Sequence, residues 1–155
     1  MKKITADIWS LVETHLIVIP TNVGWNSHGE NIMGRGLARQ ASLRYPELAL
    51  WYGTECKKFG SKTPVMRYPE GPILLMPVKP LNSKQPWFSW KSRADLELIT
   101  KGTHELAQWP GDDPIAVPLV GCGAGGLDTS EVLPVLNDIL KDDRYTLIWP
   151  KEEYE

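Results

Sequence analysis

Long apolar runs are missing from this chain. None approaches the ~18 residues that a helix needs to cross a membrane. The opening stretch, "MKKITADIWS", lacks the apolar core of a secretory leader. Cysteine is scarce: Cys56 and Cys122 are the only two and form no CxxC pair. That argues against a disulfide framework and for a reducing, cytoplasmic setting. Histidine is scarce too, and His15, His28 and His104 are scattered without ligand spacing, so no metal centre is expected. Positive charge is not in excess. A formal net charge of −2 argues against generic binding to nucleic acid, though not against a local basic patch. Internal repeats, low-complexity tracts and Gly/Ser linkers are absent, so a single domain over residues 1–155 is expected, with no membrane partner and no cofactor. It is expected to be a monomer.

Glycine, by contrast, is concentrated. "GCGAGG" at residues 121–126 follows a strand-like run, "IAVPLV", and precedes a helix-like run, "DTSEVLPVLNDILK". Bare N–H groups ahead of a helix form an anion site, and phosphate is the natural guest. The plain alternative is a tight turn that needs glycine only for geometry; four glycines favour the ligand. The stretch matches G-x-G-x-x-G, but the chain holds too few βα units after it for a doubly wound dinucleotide domain. A cysteine phosphatase needs an Arg soon after Cys122 to hold the phosphate, and none follows until Arg144. No Walker lysine is present.

The periodicity predicts strands near residues 3–12, 15–21, 64–68, 72–78, 114–120 and 145–149. It predicts helices near 35–45, 46–58, 92–108 and 129–141. Val132, Leu133, Val135, Leu136, Ile139 and Leu140 form an apolar stripe, with Asp128 and Glu131 as a capping box. Ser92 and Asp95 read as a similar start. The first two strands meet at a short "ETH" turn. The pattern predicts an α/β class and a mixed sheet with helices on both faces.

A second glycine region, "VIPTNVGWNSHGENIMGRGLARQ", also runs from a strand into a helix. Two such loops at the C-terminal edge of an open sheet could hold the two halves of a diphosphate. Here the chain resembles the macro domain family of ADP-ribose binders. "ADI" at Ala6–Ile8 resembles the family's adenine-recognising "GDI". Asn22 resembles the asparagine that contacts the distal ribose. "MGRGLARQ" and "VPLVGCGAGGLD" resemble the phosphate-binding segments of one branch. That branch holds the bacterial and phage DNA-ADP-ribosyl glycohydrolase antitoxins and the terminal ADP-ribose glycohydrolases.

The resemblance implies a three-layer α/β/α macro-type domain around a mixed sheet of about six strands. It implies ADP-ribose, or an ADP-ribosylated substrate, as partner. The ligand would meet Asp7, Ile8 and Asn22, then Met33, Gly34, Arg35, Gly36 and Leu37, and then Gly121, Cys122, Gly123, Ala124, Gly125, Gly126 and Leu127. Asp7 suits the adenine amino group as an acceptor. Trp149, at the end of the last strand, suits stacking on adenine or packing on a helix.

Lys79 closes the apolar run "PILLMPVK". The resemblance makes it a catalytic residue with Asn22, an amine that attacks C1″ of the distal ribose and forms a transient imine. Such an amine must be neutral, through burial or nearby positive charge. Two departures from the branch stand out. Gly125 occupies the slot of a loop Asp, and the segment after Lys79 is longer, which leaves Lys84 as an alternative. Trp87, Phe88 and Trp90 interleave with Lys84, Lys91 and Arg93, a pattern that suits either single-stranded nucleic acid at 84–93 or a pinned surface loop. The expected activity is removal of ADP-ribosyl groups; an ADP-ribose-1″-phosphate phosphatase and a non-catalytic reader are the alternatives.

Overall fold

The computed structural model describes residues 1–150; the last five of the expected 1–155 domain lie outside the described residues. Six strands form one sheet: β1 (Lys2–Thr5), β2 (Leu16–Asn22), β3 (Met66–Arg67), β4 (Ile73–Lys79), β5 (Ile115–Val117) and β6 (Tyr145–Trp149). Their order is β1-β6-β5-β2-β4-β3, parallel throughout except for the antiparallel β3–β4 pair. Four α-helices accompany them: α1 (Gly36–Arg44), α2 (Leu48–Phe59), α3 (Leu96–Ala107) and α4 (Thr129–Ile139).

The alternation along each strand sorts the core into two layers. Ile17, Ile19, Ile73, Leu75, Ala116 and Ile148 face α1 and α2, against Ala41, Leu48 and Tyr52. Val18, Leu74, Met76, Val117 and Leu147 face α3 and α4, against Ile99, Leu106, Val132 and Leu136. The central strands are buried on both faces, as their nearly unbroken apolar runs require. The α/β/α architecture and the mixed six-stranded sheet are therefore as expected. No helix among the described residues is long and apolar enough to cross a membrane.

Four local expectations are corrected. The strand placed at 3–12 stops at Thr5, because Asp7 accepts the Trp9 N–H at 3.1 Å and starts a 3-10 turn over Ile8–Leu11. The first two strands are not neighbours: β1 lies at the sheet edge beside β6, with Lys3 opposite Leu147. The strands at 64–68 and 114–120 shrink to two and three residues, and Pro118, which has no N–H to donate, ends the latter. Helix α3 begins at Leu96, capped by Asp95 through the Glu97 N–H at 2.8 Å, and Ser92 has no part in that cap. The Asp128–Glu131 capping box of α4 forms as expected.

Candidate functional site

All five parallel strands end on the same edge of the sheet, and the expected residues gather there. Asn22 and Lys79 are register partners at the ends of β2 and β4. The loop 23–35 leaves β2 toward α1, and the loop 118–128 leaves β5 toward α4. At the far side Thr5 pairs with Trp149, and the Ala6 N–H donates to the Trp149 carbonyl at 3.1 Å. Asp7 and the 41% exposed Trp149 ring thus belong to one end of the edge. Ile8, Met33 and Leu127 are buried in the core.

The two glycine loops are not equivalent to bare turns. Helices α3 and α4 carry Asp caps, whereas α1 starts at Arg35–Gly36 with no side-chain cap. Its first N–H groups remain available to an anion. In the other loop an isolated parallel bridge joins Cys122 to Leu127, and the Ala124 N–H has no backbone partner among the described residues. A β-carbon on Gly34, Gly36 or Gly123 would meet nothing within 4 Å, so these face open space. Gly121 and Gly125 serve packing, and Gly126 supplies a left-handed turn at φ 81°. A β-carbon on Gly121 would lie 2.5 Å from Ile99, and one on Gly125 3.0 Å from Ala94. The carbonyls of Gly125 and Gly126 accept from the Ala94 N–H at 2.8 Å and from Arg93 Nε at 3.2 Å. The density of glycine in this stretch thus reflects both roles at once, with Gly123 as its open position.

Asn22 differs from expectation. Its Oδ1 accepts from the Gly24 N–H at 2.9 Å and from Asn31 Nδ2 at 3.1 Å, and its Nδ2 donates to the Ile32 carbonyl at 2.9 Å. One Nδ2 hydrogen stays uncommitted. Asn22 therefore chiefly braces the loop. Asn31, buried and unremarked in the sequence, braces it from the other side through the Asn22 and Gly24 carbonyls. Nothing local in "GENIM" signals that role.

Lys79 is half-buried, and its Nζ donates to the Trp90 carbonyl at 2.8 Å. Burial first, and then the Arg35 charge, hold its amine below the ordinary lysine range. Lys84 lies further along, exposed, outside the strand register. Cys122 is half-buried and its thiol is pushed up, chiefly by burial, which opposes a thiolate nucleophile. Asp128 is spent on capping α4, so no carboxylate fills the slot held by Gly125. The segment after β4 folds into a 3-10 turn, Pro86–Lys91. A shallow polar groove bordered by His104, Asp138 and Arg144 lies at the opposite end of the sheet, and none of the expected residues borders it.

No family model matches the chain. A curated relative, the DNA ADP-ribosyl transferase-DNA ADP-ribosyl glycohydrolase fusion protein of Thermosipho africanus, is 28% identical over 123 residues. The match takes in 68% of this chain but 31% of that protein's length. Among solved structures, the macrodomain of Mycobacterium tuberculosis DarG superposes with a TM-score of 0.74 at 25% identity, covering 97% of each chain. The macrodomain of Thermus aquaticus DarG gives 0.73 at 20%, covering 96% of each. Thermosipho africanus DarTG in complex with ADP-ribose gives 0.74 at 22%, covering 99% of this chain and 42% of the other. The chain is thus similar in fold to these macrodomains. The resemblance read from the motifs holds, and it is to the DarG branch in particular.

Proposed function

We propose that this chain is an ADP-ribose-binding hydrolase that removes ADP-ribosyl groups from a modified macromolecule, with Lys79 as its reacting amine. The observation that carries the reading is the pairing of Lys79 with Asn22 at the sheet edge, beside the uncapped start of α1 and the open loop at Gly123. These two loops suit the two phosphates, and Asp7 with Trp149 suits the adenine end. In the reaction the amine forms a bond to C1″ as the bond from C1″ to the acceptor breaks, and the acceptor leaves with a proton. The C1″–O4″ bond of this adduct then opens, the remaining N–H proton passing to O4″, to give the imine; water adds at C1″, the amine leaves with a proton, and ADP-ribose is freed with the lysine restored.

The modified macromolecule is proposed to be single-stranded nucleic acid. Trp87 is 44% exposed, and Lys91 Nζ sits 4.1 Å from the Phe88 ring centroid, so a stacking surface and a cation lie beside the Lys79 site. The names of the relatives point the same way. The test offers ADP-ribosylated single-stranded DNA, ADP-ribosylated protein and ADP-ribose-1″-phosphate side by side. Release of ADP-ribose from the DNA adduct is expected, weakened by added salt and by Trp87→Ala. Phosphate release alone would replace this reading with a phosphatase, and binding without turnover would replace it with a reader.

Gly34→Val tests the cradle at α1. The added side chain enters open space and meets no protein atom at its β-carbon, so the fold is expected to survive. It obstructs the approach of an anion, and one charge-assisted hydrogen bond is worth about 1.5–3 kcal/mol. Calorimetry is expected to show ADP-ribose affinity reduced by about tenfold or more. Unchanged affinity in a folded variant would remove the α1 N-terminus from the site.

A further inference from the structure

Two groups from separate parts of the chain, the turn at Trp90 and the start of α1 at Arg35, act on Lys79. Its Nζ donates to the backbone carbonyl of Trp90 at 2.8 Å. Beyond Trp90, the guanidinium carbon of Arg35 lies 5.3 Å from the indole centroid. The turn that carries Trp90 is fixed from beneath: Ser89 is fully buried, and its Oγ accepts the Asn82 N–H at 2.9 Å. We propose that Arg35 is a positioning residue for Lys79: seated on the Trp90 ring, it holds the Trp90 carbonyl against the amine and fixes a positive charge beside it.

The two effects on Lys79 are separable in physical terms. An amine that donates one N–H to a fixed carbonyl keeps its lone pair aimed elsewhere, which restricts the direction of attack. A carbonyl acceptor alone favours the charged ammonium; burial and Arg35 oppose it, and burial is the larger of the two. The surrounding charges leave Arg35 as the group that acts. From β2 the neighbour is Asn22, which is uncharged. From the 3-10 turn, Lys91 lies over the Phe88 and Trp90 rings. Before α3, Arg93 is paired with Glu131 at 3.5 Å, and the Asp95 carboxylate caps the helix. At α4, Asp128 caps through the Ser130 N–H.

The inference about position and charge stands on the ligand-free protein; its effect on rate rests on the hydrolase reading above. The experiment therefore has two arms. Nitrogen-detected NMR follows the Lys79 amine through its titration, with the signal assigned by its loss in Lys79→Ala. Single-turnover release of ADP-ribose from modified DNA is followed over the same pH range. Arg35→Gln is expected to raise the Lys79 midpoint, and Arg35→Lys, which keeps the charge but not the planar stack, to fall between it and the wild type. The rate at neutral pH is expected to drop about three- to tenfold in Arg35→Gln, with the gap narrowing as pH rises. A midpoint identical in wild type and Arg35→Gln overturns the inference, even where the rate falls evenly at every pH. A shifted midpoint with no turnover in any protein supports it and instead sinks the hydrolase.

Discussion

Lys79→Ala is expected to bind ADP-ribose about as well as the wild type and to release it from a modified substrate at least ~10³-fold more slowly. An interaction made only during the chemical step lowers turnover without weakening ground-state binding. Lys79 meets that description better than any other cation near the edge. It closes a strand buried on both faces, beside Asn22, with its amine tied to a single neutral carbonyl. Burial and Arg35 lower its pKa, which enlarges the fraction of neutral amine near neutral pH. The sign follows: turnover rises with pH through the Lys79 titration, and the lowered pKa moves that rise toward acid. Lys84→Ala serves as the control, since Lys84 is exposed in the following loop. Borohydride should trap an adduct on the wild type and on Lys84→Ala but not on Lys79→Ala. Turnover that persists in Lys79→Ala would end the role of the lysine.

The parts of this molecule that were legible in its sequence are those set by near neighbours. The stripe from Val132 to Leu140 is one helix because its spacing and its Asp128–Glu131 box agree. The apolar run at 73–79 is a strand buried on both faces because nothing in it can face water. The two glycine regions lie at the strand edge because each leads from a strand into a helix. Contacts between distant segments were not legible. The place of β1 beside β6 joins the two ends of the described chain, and the "ETH" turn between β1 and β2 suggested the opposite. The alternation after Thr5 read as more strand, although the Asp7 carboxylate diverts the chain there. Gly125 looked like a phosphate-loop glycine but is small because Ala94 packs on it. Gly24 gave no signal at all, since its partners lie more than sixty residues away, in the turn at 86–91.

That last contact supports the second large effect. Gly24→Ala is expected to lower stability by about 1–3 kcal/mol and to slow turnover, although the residue touches no expected ligand. A β-carbon there would collide with the Pro86 carbonyl and lie 2.6 Å from Ser89 Oγ. Neither neighbour yields cheaply. The first is backbone, and the second is a fully buried side chain whose oxygen already accepts the Asn82 N–H. The 3-10 turn Pro86–Lys91 must therefore lift away, and Trp90 with it. Lys79 then loses its carbonyl partner, and Arg35 loses the ring it rests on. The order of effects separates this variant from its neighbours. Gly34→Val is expected to weaken ligand binding without loss of stability, and Arg35→Gln to shift the pH profile with the turn in place. Gly24→Ala should show both a lower denaturant midpoint and a raised Lys79 titration, because the amine becomes more exposed to water as its cover moves. Stability lost with an unchanged Lys79 titration would mean that the turn merely fills space above β2. Wild-type stability would mean that the 80–91 segment is free to move, and that Trp90 cannot hold the amine in place.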